Sequence, residues 1–336
     1  MHLNDNLTKK FLAWYDNNKR ILPWRVSKNS RKRLYYRLLS EFMLQQTQVK
    51  TVLPYFKKFT KKFKNLEDLS QASEREVLKL WEGLGYYRRA KNLLATSKII
   101  VNKLQNKLPK NLDEMKKLPG IGDYTANALL ALVYNLPTIA LDGNVKRVFA
   151  RKFNLDITEK KIIDRFILKN KKYLISPDRS SDYVEALMEF GALICKPKNP
   201  ICKNCFLNKE CSFYKSKRKN IKIQKKIMKN LHYDIYCLVN KRKQIALSKN
   251  HKLNFLKKFS LPMIEERKKS KYDKKGNWIL LKNYKNLISN KKLNINLYYK
   301  FSEKKPQKFS WYSLGNNKIF LPTFTKKIIK QISLIY

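Results

Sequence analysis

The first two thirds of the chain carry a helical pattern of apolar residues. Between residues 7 and 214, apolar side chains recur at spacings of three and four, and prolines and glycines interrupt them at short intervals. Two such runs are Leu38, Leu39, Phe42, Met43 and Val49, Val52, Leu53, Phe56. The pattern predicts a succession of short helices. One begins at Asn111, and another spans Asp123–Tyr134 and ends at Asn135.

Beyond residue 214 the pattern changes. A basic, turn-poor stretch at 215–230 predicts a linker, and strand-like segments follow at 233–239, 245–247, 293–301 and 309–314. A helix is predicted at 326–334. The chain is therefore predicted to have a mainly α N-terminal domain at 1–214 and an α+β domain at 231–336.

Composition adds a strong positive charge. The 336 residues include 75 Lys and Arg against 25 acids, a formal charge of +50, which favours a polyanionic partner, either nucleic acid or an anionic membrane. Lys, Asn and Ile recur throughout, so codon bias accounts for part of this charge, and its sign carries more weight than its size. A run of ~20 apolar residues and a signal peptide are both lacking. We expect a cytoplasmic protein, without membrane association, whose thiols are reduced.

Four of the five cysteines share one short segment. They are Cys195, Cys202, Cys205 and Cys211, separated by six, two and five residues. Thiolates at these spacings can close around a single centre. A structural zinc site usually shows two close pairs with a longer gap, and the bacterial ferredoxin run is also absent, so the spacing alone leaves the metal open. Cys237 stands in a predicted strand and is expected to be a core residue.

A glycine turn between two predicted helices has the sequence Leu118-Pro119-Gly120-Ile121-Gly122. Glycine lets a backbone turn tightly and approach a ligand closely. Amides at the start of the following helix suit a DNA phosphate, although a plain turn is the alternative. Further along the chain lies Asp142-Gly143-Asn144, where Asp142 is also a candidate helix cap.

Taken together, these motifs resemble the endonuclease III superfamily of helix-hairpin-helix DNA glycosylases. Within it, the chain is most similar to the MutY family, whose members remove adenine opposite 8-oxoguanine. The likeness is strong over residues 1–214 and weak over 230–336. The supporting segments are Leu22-Pro23-Trp24-Arg25, 40–49 (SEFMLQQTQV), 81–93 (WEGLGYYRRAKNL) and 141–148 (LDGNVKRV).

The resemblance implies a fold, a cofactor and a partner. The fold is a six-helix barrel with the hairpin, a helical iron–sulfur module and a C-terminal Nudix-like domain. The four cysteines then hold a [4Fe-4S] cluster in place of zinc. The expected partner is double-stranded DNA with adenine opposite 8-oxoguanine or guanine, bound by a monomer associated with the nucleoid.

The resemblance also assigns roles to single residues. Asp142 is the catalytic aspartate with Asn144 beside it, and Glu41 is the acid at adenine N7. Tyr124 occupies the position of the Schiff-base lysine of bifunctional relatives. The DNA-binding residues are Gln46 and Tyr86, which wedge into the helix, with Leu118, Gly120, Gly122 and Ser289. The adenine pocket is formed by Trp24, Arg25, Leu44 and Glu185.

The reaction explains why two carboxyl groups are needed. Adenine leaves poorly unless its ring is protonated, and the apolar stretch around Glu41 should keep this acid protonated. The sugar gains oxocarbenium character, which the anion of Asp142 stabilises. The residues alone favour a surface Glu41 and a helix-capping Asp142. A phosphate contact and a plain solvated position are equally open for each residue of a basic set, Arg88, Arg89, Lys91, Lys146 and Arg147.

The C-terminal domain departs from both family patterns. Glu265-Glu266 before Arg267 falls short of the Nudix metal motif, which argues against a nucleotide pyrophosphatase. The lesion-reading Phe-Ser-His loop of MutY aligns with Ile288-Ser289-Asn290, so the histidine is missing.

Two rival functions remain. An endonuclease III-like bifunctional glycosylase for oxidised pyrimidines is disfavoured by Tyr124 and by the long C-terminal extension. A non-catalytic DNA-binding scaffold is disfavoured by the presence of both Glu41 and Asp142.

Overall fold

The computed structural model describes residues 6–216, 228–251, 253, 256, 259–267, 277–288, 290–315 and 320–336. Residues 6–80 and 86–216 form one compact unit, and the described residues from 228 onward form a second one together with Trp81–Gly85. The sequence predicts Trp81–Gly85 within the first domain, whereas its contacts group it with the second. In the described part of the chain, no helix is long and apolar enough to cross a membrane.

The first unit is helical. Its helices are α1 (Asn6–Asn18), α2 (Arg33–Leu44), α3 (Val49–Lys62), α4 (Leu66–Gln71), α5 (Glu74–Leu80), α6 (Arg88–Lys103), α7 (Leu112–Lys116), α8 (Asp123–Tyr134), α9 (Gly143–Phe153), α10 (Lys160–Lys169), α11 (Ser180–Leu193) and α12 (Ser212–Lys215). The expected start at Asn111 is confirmed, because its side chain accepts the amides of Asp113 and Glu114. The expected α8 is confirmed at both ends, and Asn135 closes it in the left-handed conformation.

Helix α11 organises the core of this unit. It packs against α1, α8 and α9. Its Phe190 meets Phe11 of α1 edge to face, with ring centroids 5.2 Å apart, and both side chains are buried. A buried side chain of this size contributes about 1.5–3 kcal/mol. The core thereby fixes α11 beside the helices that carry Tyr124 and Asp142.

The second unit is a six-stranded mixed sheet with a helix against it. The elements are β1 (Lys229–Asn240), β2 (Gln244–Leu247), β3 (Met263–Glu266), β4 (Ile279–Ile288), β5 (Lys291–Phe301), β6 (Ser310–Ser313) and α13 (Thr323–Ile332). The order is β4-β5-β1-β2-β6, β3 also pairs with β1, and β1 and β5 run parallel. Phe324, Ile328 and Ile332 of α13 join the sheet core, which includes Cys237 as expected.

The α+β character of this unit is confirmed. The segments predicted as strands lie in β1, β2, β5 and β6, and the closing helix is α13. The prediction missed β3, which is only four residues long, and β4, whose polar Lys and Asn residues hide its alternation. Strand β1 begins at Lys229, slightly before the predicted end of the linker.

Candidate active site

Three helices bring Glu41, Tyr124 and Asp142 into one site. Glu41 lies in the last turn of α2, Tyr124 in the first turn of α8, and Asp142 immediately before α9. The Tyr124 hydroxyl lies close enough to the Glu41 carboxyl to influence its pKa, and the charge of Asp142 acts on both groups. Among the described residues, Glu41 Oε2 is buried without a hydrogen-bond partner. The structure therefore brings together two carboxyl groups and a phenol that are widely separated in the sequence.

Glu41 is held in its acid form by its surroundings. Its side chain is only 5% exposed, so the sequence-based alternative of a surface charge is wrong. Burial raises the pKa of Glu41 to about 7, and the nearby charges of Glu185 and Asp142 add to this effect. The neighbouring Tyr124 hydroxyl and the charge of Arg37 act in the opposite direction. Glu41 can thus hold a proton near neutral pH.

Asp142 is stabilised as an anion by hydrogen bonds. Its carboxylate accepts the Val145 amide at 2.7 Å and the side-chain amide of Asn144 at 2.8 Å. Burial raises the pKa of Asp142 above its usual value, and these hydrogen bonds and the charge of Arg147 counteract that effect. Asp142 therefore caps α9, as the sequence-based alternative predicted, and it also lies near Glu41. A helix-capping position does not exclude a role in the site.

A buried ion-pair network is centred on Glu185 of α11. Its carboxylate accepts Arg25 Nε at 2.9 Å, Arg37 Nη1 at 2.6 Å and the Tyr15 hydroxyl at 2.7 Å. Burial opposes its ionisation, but the charges of Arg37 and Arg25 outweigh this and hold the pKa of Glu185 below its usual value. Glu189, one turn further on, pairs with Arg25 at 3.2 Å.

The four residues expected to form the adenine pocket differ in their contacts. Arg25 and Glu185 are paired directly. Trp24 is buried, and its ring packs edge to face against the ring of Phe56 with the centroids 5.2 Å apart. This contact is part of the core. Leu44 is half-buried at the end of α2. Arg37 and Tyr15 complete the network, and sequence reasoning missed them because nothing in the local pattern marks a buried partner.

The two expected wedge residues share an unusual backbone. Gln46 has a φ of 57° and Tyr86 a φ of 48°, the left-handed region that non-glycine residues rarely occupy, and both side chains are exposed. Such a conformation costs about 1–3 kcal/mol and concentrates at functional sites.

Arg89 connects these two segments. This residue is buried, so its expected phosphate contact is wrong. Its Nη1 donates to the carbonyls of Met43 and Gln45 at 2.6 Å each, and its guanidinium lies 5.5 Å from the centre of the Tyr86 ring. Arg89 therefore closes the end of α2 and supports both wedge segments.

The hairpin between α7 and α8 has one position that only glycine fits. Gly120 has a φ of +80°, and a Cβ there would lie 2.8 Å from Phe42 Cε1 and from Asn92 Cβ. Gly122 has open space around it, as far as the described residues go. Leu118 is buried, so its side chain packs inward and any DNA contact there must use the backbone.

The cysteine segment lines a pocket. All four of its cysteines line one pocket, together with Arg151 and Phe213. Burial and then the charges of Cys195 and Cys211 raise the pKa of the Cys202 thiol. Arg151 Nη1 lies 3.4 Å from Cys195 Sγ. Within the described chain, no three His, Cys, Asp or Glu side chains are already arranged to hold a metal ion, so the identity of the centre belongs to the proposals below.

Arg147 links the cysteine segment to Asp142. Its guanidinium donates to the Cys195 carbonyl at 2.8 Å, the Gly191 carbonyl at 2.7 Å and Asn144 Oδ1 at 2.9 Å. It is buried, so the expected phosphate contact is wrong for this arginine as well. Ser289, the expected lesion reader, lies outside the described residues.

Comparison with known proteins defines the class of protein to which this site belongs. Residues 39–172 match the HhH-GPD superfamily of base excision DNA repair proteins. The solved structure of a thermostable thymine-DNA glycosylase superimposes with a TM-score of 0.55 at 26% identity, covering 63% of this chain and 96% of that one. A non-covalent endonuclease III–DNA complex shares the fold, with a TM-score of 0.50 at 23% identity over 64% of this chain and 98% of that one.

Curated relatives identify the family within this superfamily. An adenine DNA glycosylase of Buchnera aphidicola subsp. Baizongia pistaciae is 36% identical over 340 residues, which cover 96% of this chain and 95% of that protein. The adenine DNA glycosylase of Mus musculus is 38% identical over 210 residues, 60% of this chain and 41% of that protein. The chain belongs to the adenine DNA glycosylase family of the HhH-GPD superfamily, and it is an enzyme that acts on N-glycosyl bonds.

Proposed function

We propose that this glycosylase removes adenine mispaired with 8-oxoguanine or guanine in double-stranded DNA, by hydrolysis of the N-glycosidic bond. One observation carries the proposal: two carboxyl groups share a buried site in which burial raises the pKa of Glu41 to about 7, whereas hydrogen bonds and the charge of Arg147 counteract the effect of burial on the pKa of Asp142. Neighbouring acids with separated pKa values are the arrangement that acid-assisted glycoside cleavage requires. The names of the curated relatives support adenine as the base.

Glu41 acts as the general acid. It protonates adenine N7, so that the base leaves as a neutral molecule. The carboxyl then remains as an anion, which Arg37 and the Tyr124 hydroxyl stabilise. Because Glu41 has a pKa of about 7, excision should decline as pH rises above that value.

Asp142 stabilises the sugar once the bond has broken. Its anion faces the developing oxocarbenium charge, and Asn144 and the Val145 amide hold it in place. Water completes the hydrolysis. Tyr124 stands where bifunctional relatives carry a lysine, and a phenol cannot form an imine with the sugar. The enzyme is therefore monofunctional.

The adenine reaches this site by leaving the base stack. Gln46 and Tyr86, both exposed and both in strained backbone, refill the gap. The hairpin amides and the start of α8 bind a phosphate, because the first N–H groups of a helix have no partner within it. The extruded base enters beside Arg25 and Glu185, with Trp24 and Leu44 supporting the pocket wall.

The four cysteines hold a [4Fe-4S] cluster. A pocket lined by all four thiols and a guanidinium beside Cys195 fit a cluster of thiolates with net negative charge. The cluster fixes the segment from Cys195 to Cys211 against α9, and no step of base excision passes through it.

The second unit is a Nudix-like domain that contributes specificity for 8-oxoguanine. Its mixed sheet with α13 packed against it supports this fold, and the segment around Ser289 is the proposed reader. A serine hydroxyl can donate and accept, as the altered edge of 8-oxoguanine requires. We further propose a monomer that acts on DNA in the cytoplasm, at the nucleoid.

A substrate panel tests this function. Duplexes with a single adenine opposite 8-oxoguanine, guanine or thymine, and one with an oxidised pyrimidine, are incubated with the enzyme with and without alkali. We expect excision only from the first two, with strand scission only after alkali and little borohydride trapping. Scission without alkali, or excision of the oxidised pyrimidine, would support the endonuclease III-like alternative. Binding without any excision would support the scaffold.

A further inference from the structure

Met188 lies beside the proposed acid although no sequence motif marks it. Its sulfur accepts the Tyr124 hydroxyl at 3.2 Å. Tyr124 on α8 and Met188 on α11 both pack against a buried cluster that includes Ala128, Leu132 and Val184. The contact between sulfur and phenol is therefore fixed by the packing of two helices.

The same phenol also faces Glu41. A phenol has one proton to donate and lone pairs with which to accept. Burial raises the pKa of Tyr124 well above its usual value, so this proton is not lost. In the structure this proton goes to the Met188 sulfur, and Glu41 Oε2 is buried with no hydrogen-bond partner among the described residues. The sulfur and the carboxyl therefore compete for a single donor.

We propose that Met188 is a positioning residue that favours the protonated form of Glu41 by drawing the Tyr124 proton toward its sulfur. The proposal rests on the function proposed above. When Glu41 is protonated, its O–H donates to the phenol oxygen, and the phenol donates to Met188, so every proton in the chain has an acceptor. When Glu41 is ionised, it needs the phenol proton, and Met188 competes for it. No proton is gained or lost by Met188 in either state.

The charged groups around Glu41 also influence its protonation, but they can be held constant in an experiment. Arg37 favours the ionised form, whereas Glu185 and Asp142 favour the protonated one. All three remain in place when only the sulfur is removed. Met188→Leu keeps an apolar side chain of similar size, and thus isolates the acceptor.

The experiment measures single-turnover excision against pH for the wild type, Met188→Leu and Met115→Leu. Met115 is a buried methionine on α7 that serves as the control. We expect the alkaline limb of the Met188→Leu profile to move about half a unit to one unit toward acid, since a net hydrogen bond is worth that much. At pH values above the alkaline limb, this shift lowers the excision rate roughly threefold to tenfold, and at lower pH the rate changes little. Met115→Leu should leave the limb in place.

A double variant separates the proton relay from packing. In a Tyr124→Phe background there is no phenol proton to share, so adding Met188→Leu should not move the limb. An equal shift in both backgrounds, or no shift in the wild-type background, would overturn the role of Met188.

A carboxyl NMR titration of isotope-labelled glutamate, with the Glu41 signal assigned by its loss in Glu41→Gln, gives the same comparison without DNA. If Glu41→Gln excises normally, the acid assignment fails. The titration still decides the role of Met188, because a Glu41 pKa that is equal in wild type and Met188→Leu would refute it.

Discussion

The side chain of Asn144 connects the carboxylate of Asp142 to Arg147. Its Nδ2 donates to Asp142 Oδ2 at 2.8 Å, and its Oδ1 accepts Arg147 Nη2 at 2.9 Å. Arg147 in turn donates to the carbonyl of Cys195, the first cysteine of the segment. The orientation of Asn144 is thereby fixed at both ends, so that its amide hydrogens face Asp142.

Asn144→Ala should shift the acidic limb of the excision profile to higher pH. The Asn144 hydrogen bond lowers the pKa of Asp142, so its loss raises this pKa, and the active anion is protonated sooner as pH falls. We expect a shift of about half a unit to one unit, from single-turnover rates across acidic pH. Asn17→Ala on α1, whose amide donates to the Ala13 carbonyl, is the control. An unmoved limb would show that Asn144 does not tune Asp142.

Substitution of the two hairpin glycines should affect stability at one position and DNA binding at the other. Gly120→Ala places a Cβ under 3 Å from Asn92 and Phe42 in left-handed backbone, and crowding of this kind costs about 1–3 kcal/mol of unfolding free energy. Gly122→Ala meets open space in the described structure, with a φ of −100°, and should unfold like the wild type. It should nevertheless bind duplex DNA more weakly, because its methyl group keeps a phosphate from the hairpin amides. Denaturation and binding curves measure both. A Gly122→Ala variant that binds normally would remove this phosphate contact.

Glu185→Gln should be strongly destabilising. It leaves Arg25 and Arg37 without their buried counter-charge, a loss that typically costs about 3–5 kcal/mol. Glu114→Gln, which removes the exposed pair with Lys117, should cost under about 1 kcal/mol. The folded pKa of Glu185 is lowered, so its stabilisation is complete above the unfolded value and is lost as pH falls through the folded value. Urea unfolding of both variants at several pH values tests this, and equal stabilities for the two would contradict it.

Iron content should depend on the four cysteines of the segment and not on Cys237. We expect about four irons per chain in the wild type and a substoichiometric amount in Cys202→Ser, because the cluster loses one of its four ligands. Cys237→Ala in the sheet core should retain iron. The measurement is elemental analysis with the visible absorption spectrum. One zinc per chain, or full iron loading in Cys202→Ser, would contradict the cluster.

The sequence predicted those parts of the fold that depend on interactions between neighbouring residues. Asn111 and Asn135 could be assigned because capping and left-handed termination depend on one side chain and its neighbours. Strand β4 escaped prediction because its pairing with β5, and not its own Lys- and Asn-containing sequence, makes it a strand.

In the site as well, some residues could be predicted from the sequence and others depend on contacts made only in the fold. The resemblance identified Glu41 and Asp142, and burial in the fold accounts for the raised pKa of Glu41. Arg89, Arg147 and Met188 were misassigned or missed, because each acts through a contact with a residue distant in sequence. A buried arginine and a surface arginine look alike in sequence, and only packing distinguishes them.

The central claim is that Glu41 and Asp142 act in opposite protonation states on one N-glycosidic bond. The most direct test is the single-turnover rate of adenine excision opposite 8-oxoguanine near neutral pH, for the wild type, Glu41→Gln and Asp142→Asn, with duplex binding measured in parallel. We predict that both variants bind the duplex nearly as the wild type does and lose at least roughly a hundredfold in rate, the lower range for general acid catalysis. A near-normal rate in either variant would contradict the account.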